Sequence, residues 1–77
     1  MISVFPNPAS DDINFSFASE QKRAELKLFD LTGREVKSIS FSGKQVTLKR
    51  ENLDSGIYIY RCVSENKPIG SGKIIIM

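Results

Sequence analysis

Apolar and polar residues alternate along most of this chain, in short runs separated by turn chemistry. Ile13, Phe15 and Phe17 alternate with Asn14 and Ser16. Ala24, Leu26 and Leu28 alternate with Glu25 and Lys27, and Val46 and Leu48 with Gln45, Thr47 and Lys49. A period of two sets the apolar residues on one face of an extended segment, so each run predicts a half-buried β-strand. Residues 57–63 form the most β-rich run, with Ile57, Ile59 and Val63 on one parity and Tyr58, Tyr60 and Cys62 on the other. No stretch of a dozen residues shows helical spacing behind a capping residue.

The intervals between the runs predict turns. Residues 2–5 are apolar and are stopped by Pro6-Asn7-Pro8, where two prolines fix φ and remove two ladder donors; this reads as a rigid corner. Residues 18–23 are polar and read as a loop. Asp30-Leu31-Thr32-Gly33 reads as a tight turn, with Asp30 accepting from backbone amides and Gly33 free to take positive φ. Residues 34–41 would be the hairpin partner, but Val36 is out of phase with Ile39 and Phe41. That predicts a bulge or a sheet switch near Lys37-Ser38. Residues 42–44 read as a turn, 50–56 as a polar connection anchored by Leu53, and 65–68 as the turn into a last strand over 69–77. Gly70 and Gly72 weaken the first half of that strand. The count is about seven short strands, which predicts a single all-β domain over 1–77, an antiparallel β-sandwich. Tyr58, shortly after Leu53 and Gly56, is either a tyrosine corner whose hydroxyl bonds back to the loop or a half-exposed strand tyrosine.

Composition narrows the function classes. Nine Ile and four Val against three Ala favour strands. A domain of this length hides only roughly 60% of its unfolded surface. One cysteine closes no internal disulfide, so the chain must live on a compact apolar core or fold as part of something larger. A net charge of +2, spread along the chain, makes no nucleic-acid footprint. No apolar run reaches the ~20 residues of a transmembrane segment. The first residues lack the charged and apolar regions of a signal peptide, and the start reads as a boundary within a longer chain.

The chemistry of a catalyst is missing. With no His, none of the ten Ser has an imidazole base, and the usual zinc and haem options fall away. Asp11-Asp12 reads as a solvated turn before a weak cation site. Gly70-Ser71-Gly72-Lys73 has the wrong spacing for a phosphate loop. Cys62 reads as buried packing, and Lys27, Lys37, Lys44, Lys49 and Lys73 as solubilising, edge-protecting charges. The sequence therefore predicts no catalytic residue, no metal and no cofactor.

Four ordered segments carry a resemblance: residues 4–11 (Val-Phe-Pro-Asn-Pro-Ala-Ser-Asp), 28–36 (Leu-Phe-Asp-Leu-Thr-Gly-Arg-Glu-Val), 53–60 (Leu-Asp-Ser-Gly-Ile-Tyr-Ile-Tyr) and 72–76 (Gly-Lys-Ile-Ile-Ile). Together they resemble the type A C-terminal sorting domain of the type IX secretion system. The resemblance implies a seven-stranded immunoglobulin-like fold at the carboxyl end of a larger secreted protein. It implies an address label carried by an N-terminal passenger, passing through the periplasm and the outer-membrane translocon of a Gram-negative cell to the surface or the medium. The implied partners are the translocon, its shuttle proteins and a sortase-like peptidase that removes the domain.

Physical chemistry divides these motif residues. Pro6, Asn7, Pro8, Asp30, Gly33, Gly56 and Tyr58 have folding reasons to be there. Lys73 has none. Three successive isoleucines must also send apolar side chains to both faces of the strand. Lys73, Ile74, Ile75 and Ile76 are therefore the predicted recognition element, on a strand with a free edge. The competing view is a doubly covered strand with Lys73 merely solvated. A second functional class, an accessory β-sandwich that binds carbohydrate or spaces a hydrolase, would present a row of exposed aromatic rings or a calcium site.

Overall fold

A computed structural model describes residues 2–77. Five strands carry the chain: β1 (Ile2–Phe5), β2 (Ile13–Phe29), β3 (Glu35–Leu48), β4 (Gly56–Ser64) and β5 (Lys67–Ile76). All strand pairs are antiparallel, in one sheet, and there is no helix among the described residues. β2 organises the sheet because it takes three partners. Its front stretch pairs with β1 (Phe15 opposite Val4) and with the end of β3 (Phe15 opposite Val46). Its rear stretch pairs with the start of β3 (Leu26 opposite Ile39) and with β4 (Leu26 opposite Cys62), and β4 in turn pairs with β5.

The count of five replaces the expected seven, and the reason is local. Residues 18–23 and 42–44 are polar, yet they stay extended, with Gln21 paired to Gly43. Polarity there does not mean loss of pairing, and Gln21 is itself buried. Two expected strand pairs thus fuse into the long strands β2 and β3. A straight 17-residue strand would run about 56 Å, whereas the longest dimension of the molecule is 30 Å. β2 must therefore bend sharply. The bend lies where the register slips, between Ser16 and Ala24, and Arg23 takes φ +47° there. Burial switches parity across it, from Ile13, Phe15, Phe17 and Gln21 to Ala24, Leu26 and Leu28. The extra residues bring the apolar sets of both halves to the inside.

The core joins the two halves. Phe15 from the front stretch meets Tyr60 of β4 edge to face, with ring centroids 5.2 Å apart. Around them lie Ile13, Phe17, Leu26, Leu28, Tyr58, Cys62, Ile74 and Ile76. The phase break of β3 is a bulge at Val36, slightly before the predicted place: Phe29 faces Glu35 while Leu28 faces Lys37. A second change of phase follows Gly43, so that Val46 and Leu48 turn inward. Glu65 and Asn66, both at positive φ, make the two-residue connection that a type I′ hairpin requires between β4 and β5.

Candidate functional site: the terminal strand and the corner beside it

β5 divides the predicted recognition residues between two faces. Ile74 and Ile76 are core residues, 0% and 2% exposed. Lys73 and Ile75 point outward, as period-two geometry demands of neighbours. The outer face they share is fixed by register: Ile75 lies opposite Ile57, Lys73 opposite Ile59, and Ser71 opposite Arg61. Phe29 lies opposite Ile59 from the other side. Among the described residues, no carboxylate comes within ion-pair distance of Lys73 or Arg61.

The expected free edge of the strand is closed along its last residues. Asn7 donates its side-chain amide to the Lys73 carbonyl at 3.3 Å and accepts the Ile75 amide at 3.1 Å, so one side chain stands in for a paired backbone. Ala9 continues the cover as a parallel bridge: its N–H donates to Ile75 O at 2.9 Å, and its carbonyl accepts from Met77 N–H at 2.8 Å. The Phe5–Pro6 and Asn7–Pro8 peptide bonds are both cis. The corner predicted at the start of the chain is thus fastened to its end.

Arg50 adds a clamp that the sequence did not single out. Its guanidinium donates to Leu53 O at 3.0 Å, Ser10 O at 2.9 Å, Ser55 Oγ at 3.2 Å and the Met77 carbonyl. One planar cation with a fork of donors ties the β3–β4 connection, the corner and the terminal residue together. A lone Arg in a polar connection carries no periodic or motif signal, which is why reading the chain passes over it.

The turn residues are held by local chemistry. Asp30 accepts from Thr32 Oγ1 at 2.6 Å, from the amides of Thr32 and Arg34 at 3.0 Å each, and from Arg34 Nε at 3.2 Å. Gly33, at φ +89°, closes the turn by donating to Asp30 O. The Thr32 hydroxyl and the Arg34 amide hold the Asp30 carboxyl below its ordinary value of 3.8. A depressed carboxyl stabilises the fold above its unfolded value, and that contribution is lost as pH falls through the folded value. Asp30→Ala is therefore expected to lower Tm at pH 7 and to shrink the further drop in Tm between pH 5 and pH 2. Thermal melts over that range check it. Glu51, lowered by its bond to Lys37, keeps part of the acid limb in the variant.

Tyr58 is 7% exposed, and its hydroxyl donates to Asp54 O at 2.6 Å, four residues back across the loop. This is corner geometry. Tyr58→Phe should cost about 1 kcal/mol, the net worth of one hydrogen bond, in urea unfolding. No change in the midpoint would mean that the bond contributes nothing. Cys62 is fully buried, and burial pushes its thiol above the ordinary 9.0, away from a reactive thiolate.

No individually curated protein matches the chain. Its sequence does fit one family model, described as the secretion system C-terminal sorting domain, from residue 3 to residue 77. Essentially the whole chain is covered, including the corner, the Asp30 turn, the Tyr58 strand and the terminal strand described above. The chain thus belongs to the family of type IX secretion C-terminal sorting domains.

Proposed function

We propose that this chain is the sorting domain of a larger secreted protein, a single unit over residues 1–77 that directs an N-terminal passenger through the type IX secretion system to the cell surface or the extracellular space. The observation that carries this reading is the family match over residues 3–77. The family is a sorting signal and not a catalyst, so the domain acts as substrate and address. Transit runs through the periplasm and the outer-membrane translocon, and a sortase-like peptidase then detaches the domain. The bent sheet, with Phe15 of one half against Tyr60 of the other, supports a two-layer, immunoglobulin-like arrangement. Carbohydrate binding on a flat face has less support: of five Phe and two Tyr, Phe5 is the one half-exposed ring.

Recognition falls to the outward residues of the terminal strand, Lys73 and Ile75, while Ile74 and Ile76 keep that strand in the core. The test is a fusion of a signal peptide, a reporter and residues 1–77, expressed in a type IX-competent cell. Protease-accessible reporter on the surface is expected, and periplasmic retention would sink the reading. Deleting residues 73–77 is a poor control, because it removes Ile74 and Ile76 from the core along with the outward pair.

A further inference from the structure

The edge and the face of the terminal strand are in opposite states. Along the edge, the Lys73 carbonyl, both backbone groups of Ile75 and the Met77 amide are already bonded to Asn7 and Ala9. Over residues 73–77 a partner strand would have to displace the corner before it could pair. On the outer face, Ile57, Ile59 and Ile75 stand together at 40%, 37% and 37% exposure. Lys73 flanks them on β5. Arg61 flanks them on β4, its guanidinium 5.5 Å from the centre of the Phe29 ring. Neither cation has a carboxylate within ion-pair distance among the described residues, whereas Lys27, on the same face, is held by Glu25 at 3.6 Å and Glu35 at 3.4 Å. The charge on this face is thus balanced around β2 and unbalanced around the three isoleucines.

We propose that the β4–β5 outer face, centred on Ile57, Ile59 and Ile75 and flanked by Lys73 and Arg61, docks face-on against a protein surface that presents an apolar patch bordered by carboxylates. The inference rests on the sorting reading and gives it a partner chemistry. Burying the isoleucines supplies the apolar centre of such an interface, and the two unneutralised cations set its orientation and its salt dependence. An anionic membrane fits less well, because the attraction is confined to Lys73 and Arg61, while Lys27, Glu25 and Glu35 leave the rest of the face without surplus positive charge. Docking face-on leaves the Asn7 cover in place, so no strand exchange is required.

Two measurements test this. In the reporter fusion, Lys73→Glu with Arg61→Glu, and separately Ile59→Ser, should each reduce surface reporter about tenfold or more. Lys22→Glu with Lys44→Glu, at the bend, should leave it unchanged. Melting of each purified variant shows whether it is folded, and Lys73→Gln with Arg61→Gln replaces a reversal that does not fold. Folded face variants exported as well as the parent chain overturn the proposal. If the parent fusion is itself retained, the sorting reading fails, and the second measurement still decides the docking face. In that measurement, the 15N-labelled chain is titrated with a synthetic peptide of leucine flanked by glutamates. Shift changes confined to residues 57–61 and 71–75, weakened by salt and lost in the charge-reversed variant, are expected. No shift at millimolar peptide, shifts along the edges of β1 or β3, or capture of the chain by phosphatidylglycerol vesicles in place of the peptide would each overturn it.

Discussion

Phe15→Ala should remove a large share of the chain's folding stability at 25 °C, about 4–5 kcal/mol. Removing a buried Phe costs about 3–5 kcal/mol, and a domain of this size has roughly 4–12 kcal/mol in total. The position argues for the upper end. Phe15 is 0% exposed, is flanked in register by Val4 and Val46, and reaches across to Tyr60, which belongs to the other half of the bent sheet. The aromatic pair adds about 0.5–1.5 kcal/mol beyond area burial. Collapse into the vacated space would require the two halves to approach each other, and the bend of β2 and its shared pairing with β3 hold them apart. Phe29→Ala, on the outer face, is the matched control and should cost much less. Far-UV circular dichroism with urea unfolding checks both. A cooperative Phe15→Ala transition within about 1 kcal/mol of the parent would mean that the halves do not depend on this contact.

The same residue shows how much of the fold could be read in advance. Ile13, Phe15 and Phe17, then Ala24, Leu26 and Leu28, were legible as inward sets because period two is a property of the strand itself. What joins them was not legible. Residues 18–23 look like a loop, and nothing local says that Gln21 finds Gly43, a pairing set by the path of β3 more than twenty positions later. The site divides in the same way. Parity alone sends Lys73 and Ile75 outward once Ile74 and Ile76 are inside. The Asp30 turn was legible, and the Tyr58 corner was one of two readings open, because their bonds span two to four residues. The closed edge was not, since Asn7 meets Lys73 and Ile75 across 66 and 68 residues. Pro-Asn-Pro looked like a corner whose Asn had no assigned task. Its amide completes the outer edge of the last strand.

Gly72 brings the core and the displayed face together, and Gly72→Ala is expected to destabilise the domain by about 2–3 kcal/mol, the upper range for forcing an extra carbon into a packed interior. Gly72 lies directly opposite Tyr60 on β4, and a Cβ there would sit 2.7 Å from Tyr60 Cε2 and 2.8 Å from its hydroxyl. Elsewhere a ring could swing aside. Here it is 7% exposed and already fixed edge-on against Phe15, so relief has to come from β5 moving off β4. That motion also spreads Ile59 from Lys73, the next pair along the ladder, and so loosens the surface the domain presents. The cause is separable from the general cost of changing a strand glycine. In a Tyr60→Leu background, where the ring is gone, Gly72→Ala should lose most of its effect, giving a coupling of about 1 kcal/mol or more between two residues in contact. Additive losses in the double-mutant cycle would mean that Gly72 serves the backbone alone, and that the β4–β5 spacing is set by something other than the ring.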